Sequence, residues 1–154
     1  MQTSNRWLLT GGVLTGAASL LHLGIILGGP DWYRFFGAGE EMAEHAARGS
    51  VHPTVITAGI ATILGVWALY AFSGAGLVRR LPLLRLALTL IAAAYLARGI
   101  LGIPLVLLVQ DPYLNELKAR MAFTVVSSAI CVCLGLCYAL GAASVWSRSS
   151  PPRA

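Results

Sequence analysis

The sequence predicts an all-α integral membrane protein: a four-transmembrane-helix bundle with a short amphipathic helix in the first outer loop and both termini cytoplasmic. Three observations predict it. Four apolar stretches, over residues 7–28, 54–78, 83–109 and 121–146, each reach the roughly 20 residues that cross a hydrocarbon core. Only 11% of the 154 residues are charged, against about 25% in a soluble domain. The basic residues flank the apolar stretches instead of forming a patch. Arg6 precedes the first, Arg79, Arg80 and Arg85 surround the connection between the second and third, and Arg148 and Arg153 follow the last. The positive-inside rule puts those segments in the cytoplasm. The loop with Asp31, Glu40, Glu41 and Glu44 against Arg34 and Arg48 is net acidic, and the loop with Asp111, Glu116, Lys118 and Arg120 is neutral; both are expected outside. The net charge of +5 is therefore an orientation signal and an attraction to anionic lipid. It does not mark a nucleic-acid partner. A chain of this length forms one domain, 1–154, ending in a short polar tail at 147–154.

The elements follow in order. Helix one starts at Arg6-Trp7, with Trp7 as an interfacial anchor, and stops at Gly28-Gly29-Pro30. Its apolar run exceeds the core of a typical signal peptide and no A-x-A site follows it before Pro30, so it is expected to be retained. Asp31-Trp32-Tyr33 looks like a headgroup-level segment. In the next stretch Phe36, Met42 and alanines interleave with Glu40, Glu41 and Glu44, which predicts an amphipathic helix over Gly39–Arg48 at the outer interface. His52-Pro53-Thr54 opens helix two, since Pro suits the first turn. Arg79-Arg80-Leu81-Pro82 makes a tight turn and implies an antiparallel hairpin of helices two and three. Pro104 predicts a kink in helix three. Asp111-Pro112 begins a short helical piece before helix four.

Small and polar residues recur at spacings of three and four on each long helix. Gly12, Thr15, Ser19 and His22 form one stripe, and Ala58, Ala61, Gly65 and Ala68 the next. The second also takes in Thr54; Ile91, Tyr95, Arg98 and Gly102 form the third, and Thr124, Ser128, Cys131, Gly135 and Tyr138 the fourth. Small residues let membrane helices approach closely and polar ones bond across them. The stripes predict a polar strip inside the bundle.

Arg98 is the exceptional residue. It stands thirteen residues from both Arg85 and Asp111, the nearest charges, or about 20 Å along a helix in each direction. An arginine at mid-membrane costs at least about 2.5–3.5 kcal/mol on insertion scales, so it needs a partner, a wet cavity or a ligand. No carboxylate lies inside the four apolar stretches. The expected partners are Glu40 or Glu41 reaching down as a clasp, or an anionic or polar ligand, with Tyr95, His22, Ser128 and Tyr138 around it. A chain-to-chain contact is the other source of a counter-charge.

Glu41, Glu44, His45 and His52 are weak candidates for a metal site. Their residue types suit zinc or iron, but they match no ligand-spacing motif. Haem through His22 would need a second histidine. Cys131, Cys133 and Cys137 contain no C-x-x-C and read as packing residues. No nucleophile triad, phosphate loop or dinucleotide fingerprint occurs, so no motif supports an enzyme and no cofactor is named.

The layout resembles small bacterial four-helix membrane proteins of the DoxX-like group, through Tyr33-Arg34-Phe35-Phe36-Gly37-Ala38-Gly39 and the hairpin at Arg79-Arg80. The resemblance implies a multi-pass inner-membrane protein and an association with quinone-linked redox complexes; it assigns no site residue. The expected function is to hold a small polar or lipid-like ligand in an outward-facing intramembrane cavity, or to support a membrane complex. The alternatives are a subunit of a redox or transport assembly, linked to quinone, metal or haem, and a self-associating scaffold. The expected partners are the bilayer and a membrane protein or a second copy.

Overall fold

The computed structural model describes residues 5–147, so the polar tail expected at 147–154 lies outside the described residues except for Ser147. All the described elements are helical: α1 (Arg6–Gly28), α2 (Pro30–Phe35), α3 (Glu40–Ala47), α4 (His52–Ala75), α5 (Leu84–Leu108), α6 (Pro112–Ala119) and α7 (Met121–Ser147). Four of them, α1, α4, α5 and α7, are long and apolar enough to span a membrane. Between 22% and 33% of each span is buried within the chain. The remaining surface carries Leu, Ile and Val and needs lipid or another chain to cover it.

Local chemistry sets the helix ends. Asn5 caps α1, its side chain accepting from the Leu8 N–H at 3.4 Å. Gly76, at φ 84°, ends α4 before the apolar Leu77 and Val78 that the sequence assigns to it. The Leu77 N–H donates to the Phe72 carbonyl and the Gly76 N–H to the Ser73 carbonyl, a Schellman closure that only a left-handed residue completes cheaply. The same closure at Gly49 ends α3. Pro30 starts α2, a helical turn where the sequence suggests only an interfacial segment. Asp111 caps α6, accepting from the N–H groups of Tyr113 and Leu114. Helix α5 continues through Pro104 for another turn.

The long helices pack as two intimate pairs, α1 with α4 and α5 with α7, joined chiefly where α1 meets α7. The hairpin partners α4 and α5 touch far less. Glycine explains the second pair. A Cβ on Gly99 would stand 2.7 Å from Val132 Cγ2, 2.8 Å from the Val132 nitrogen and 2.9 Å from the Ser128 carbonyl oxygen. A Cβ on Gly135 would stand 3.0 Å from the Leu96 nitrogen. Backbones meet directly at both points, which any larger residue would prevent.

The two ends differ. At one end, Asn5 donates to the Gly141 carbonyl and the Ser144 hydroxyl, joining the start of α1 to the end of α7. Fully buried Leu8 fills the gap between Gly74 and Gly141, and the Arg85 guanidinium lies 5.1 Å from the Trp146 ring centre. Ser73 pins the α4–α5 turn by donating to the Arg79 carbonyl and accepting from the Leu81 N–H. The opposite end is covered by α2, α3 and α6. There Tyr33, Ala43 and Ile25 form a second, smaller core.

Candidate functional site

The polar residues of the stripes separate into two groups. The first is a sealed centre. The Tyr138 hydroxyl donates to the Trp67 carbonyl at 3.1 Å and shares a hydrogen bond with Thr15 Oγ1 at 3.2 Å; Thr15 Oγ1 is also 3.2 Å from the Tyr95 hydroxyl. Tyr95 stacks edge-on against Trp67, ring centres 5.1 Å apart, and leans on Tyr138 at 5.7 Å. Tyr95, Thr15 and Tyr138 are all buried. This ties α1, α4, α5 and α7 together and satisfies its own polar groups, which is what a structural network does.

The second group lies one turn nearer the capped end. Arg98 is exposed in the isolated chain and does not enter the sealed centre with Tyr95. Three residues along a helix advance about 300°, so Arg98 stands about 60° round α5 from Tyr95. Its side chain runs toward the capped end and brings Nη1 within clashing distance of the point that a Cβ on Gly102 would occupy. Ser128 Oγ lies 2.8 Å from that same point. Ser128 is 2% exposed, and among the described residues its hydroxyl has no hydrogen-bond partner.

Arg98 and Gly102 line a cleft of about 330 Å³. Leu101, Leu105 and Val106 form its α5 wall, Tyr113, Leu114 and Leu117 its α6 wall, and Thr124 of α7 contributes to its lining. Arg98 is the single charge in that lining. Among the described residues Arg98 forms no ion pair. Burial raises the Tyr113 hydroxyl above its ordinary pKa, and the positive field of Arg98 opposes that rise.

The expected clasp from the outer loop is not there. Glu40 is taken by Arg34, whose Nη2 and Nε lie 2.7 and 2.9 Å from Glu40 Oε1. That hydrogen bond holds the Glu40 carboxyl below its ordinary pKa. Glu41 points into solvent, its side chain 90% exposed, with His45 3.9 Å away. The physical reason is sequence proximity: Arg34 is six residues from Glu40, and both stand on the cap surface where pairing carries little desolvation cost. His22 is spoken for within its own helix, Nδ1 lying 2.8 Å from the Ala18 carbonyl oxygen.

The four weak metal candidates also do not converge. Glu44 pairs with Arg48 at 2.6 Å, and the His45 and His52 rings lie 5.8 Å apart. Among the described residues no group of three or more His, Cys, Asp or Glu side chains is placed to hold a metal ion. The cysteines are free, Cys133 exposed and the others half-buried.

Sequence reasoning missed Tyr113, which forms the wall between two clefts. On its far side lies a surface cleft of about 430 Å³ that includes Arg34, Glu40, Glu116 and Arg120. The Tyr113 hydroxyl donates to the Gly37 carbonyl at 3.0 Å, and Glu116 accepts from the Glu40 N–H at 2.9 Å. Arg120 donates to the carbonyls of Arg34 and Phe35. Tyr113 and Leu117 share a face of α6 at the four-residue spacing, the one signal that marked it. Trp67 left none, because a single aromatic in an apolar helix looks like lipid-facing surface.

No family model, curated protein or solved structure matches the chain.

Proposed function

We propose that the chain is a multi-pass protein of a bacterial inner membrane, both termini cytoplasmic, that holds a small lipid-like ligand in the outward-facing cleft between α5 and α6. The observation that carries this is Arg98, a guanidinium without an ion-pair partner among the described residues, at the side of a cleft whose walls are otherwise mainly apolar. A protein that needed Arg98 only for packing would give it a carboxylate. Of the cap glutamates, Glu40 and Glu44 pair with Arg34 and Arg48, Glu116 accepts from the Glu40 N–H, and Glu41 faces solvent beside His45. A mainly apolar cleft with a small number of polar anchors is the usual form of a ligand site. The resemblance to DoxX-like proteins belongs to the same proposal, as does support of a larger membrane assembly.

The test is to purify the protein in mild detergent, extract it with organic solvent and identify co-purifying small molecules by mass spectrometry, beside Arg98→Leu. A stoichiometric amphiphile present in the native protein and lost in the variant is the expected result. A haem absorbance band or bound metal in place of an amphiphile would transfer the function to a redox assembly. A stable oligomer carrying neither would make it a scaffold.

A further inference from the structure

We infer that the occupant of this cleft is an acidic amphiphile, a carboxylate or phosphate headgroup on an apolar chain, and that Gly102 is the notch that seats the guanidinium to receive it. This rests on the cleft being a ligand site and adds the class of the ligand.

The headgroup class follows from charge. Among the described residues the cleft lining contains one cation and no anion. The carboxylate across Tyr113, Glu116, belongs to the other cleft, where it accepts from the Glu40 N–H. A guanidinium offers a planar fork of donors that matches carboxylate and phosphate oxygens two at a time. A neutral headgroup would leave the guanidinium, which a membrane would cover on this face, without a counter-charge.

The chain class follows from the walls. Leu101 and Leu105 are about half exposed beside Arg98, on a face the membrane would cover. A hydrocarbon chain lying along them enters sideways from the bilayer and requires no opening of α6.

The notch follows from Gly102. Arg98 Nη1 and Ser128 Oγ converge where its side chain would be. With any residue larger than glycine, the guanidinium must shift from this position. Ser128 is a positioning residue: its buried, unpartnered hydroxyl accepts from the inner N–H of the guanidinium after a small shift and leaves the outer edge for the headgroup. Ser128 is one of two buried hydroxyls without a partner among the described residues, the other being Tyr33, and such groups are rare in a folded chain.

The experiment is native mass spectrometry of the full chain in neutral detergent with oleate, dioleoyl phosphatidic acid, dioleoyl phosphatidylcholine or monoolein added singly. Wild type should bind one oleate or one phosphatidic acid about tenfold or more tightly than the two neutral or zwitterionic probes, as expected for loss of a charge-assisted pair. Oleate alone binding identifies a carboxylate ligand; phosphatidic acid alone identifies a phosphate. Arg98→Gln should remove that preference and Arg98→Lys should keep part of it. Gly102→Ala and Ser128→Ala retain the charge and should weaken acid binding several-fold with unchanged thermal midpoints. Full acid binding by a folded Gly102→Ala or Ser128→Ala overturns the notch. Monoolein binding as tightly as the acids, and blocked by Leu101→Trp, overturns the acidic class while the cleft reading stands. No probe binding overturns both.

Discussion

Arg98 and Tyr95 share a stripe in the sequence and part company in the structure. The stripe is real, but a helical face is wide and two residues three apart straddle it. Tyr95 falls on the side where Thr15 of α1, Trp67 of α4 and Tyr138 of α7 meet it. Arg98 falls on the side facing α6, and its length lets it reach one turn toward the capped end. The depth of the charge was legible from spacing alone. The absence of a clasp was not, because Glu40 had a nearer cation in Arg34. Arg98→Leu should therefore leave the thermal midpoint in detergent unchanged or raise it, since it removes a charge that no carboxylate of the chain offsets. A fall of many degrees would mean that a structural partner had been lost. At the sealed centre the reverse holds. Tyr138→Phe removes the bonds to Thr15 and the Trp67 carbonyl, and should cost about 1 kcal/mol by reversible unfolding in detergent. No loss of stability would show that the hydroxyl is not part of the framework.

At the scale of the element, glycines decide which helices pair. The short turn at Arg79-Arg80 suggests that α4 and α5 are partners, and chain connectivity does make them neighbours. Their surfaces do not match as well as those of α5 and α7, where Gly99 and Gly135 bring backbone against backbone. Gly99→Ala should push α7 away from α5 and cost about 1–3 kcal/mol, the usual range for overpacking. Gly59→Ala is the control, because nothing lies within 4 Å of a Cβ there and the helix gains propensity. Equal midpoints for the two variants would remove glycine contact as the reason for the pairing. The helix ends were largely legible as well. Asp111-Pro112, Pro53 and Gly49 act through local hydrogen bonds and fixed dihedrals, which need no tertiary context. The end of α4 was misplaced because hydropathy continues through Leu77 and Val78 while the backbone turns at Gly76.

The whole molecule is asymmetric along its length. The end with Arg79, Arg80 and Arg85 is closed by Leu8, Asn5 and Ser73. The other carries the cap of α2, α3 and α6, held by Arg34–Glu40, Arg120 and Tyr113. Acid should loosen this cap. The folded pKa of Glu40 lies below its unfolded value, so the stabilisation is present above the ordinary glutamate pKa of about 4.3 and fades as pH falls through the folded value. Hydrogen-exchange protection factors of the α2 and α3 amides, corrected for the intrinsic pH dependence of exchange, should fall below that pH in wild type. In Glu40→Gln they should already be lowered at neutral pH, and wild-type protection factors that do not change with pH would contradict the assignment. Orientation is tested by cysteine labelling in a background lacking the three native cysteines. Arg79→Cys should react only with reagents on the cytoplasmic side and Glu41→Cys only with those outside; the opposite pattern inverts the topology.

By itself the sequence determined four spanning stretches, their order, the punctuation of the short helices and the presence of one charge far from any other. Those are properties of composition and of local hydrogen bonding, and neighbours along the chain are enough to set them. Only the tertiary structure decided that α5 pairs with α7, that Tyr95 closes a sealed network while Arg98 lines a cleft, and that Glu40 pairs with Arg34 while Glu41 faces solvent. Each of those outcomes depends on which of several physically acceptable partners comes nearest in space. That competition is settled by side-chain direction and backbone approach, and neither is written in hydropathy.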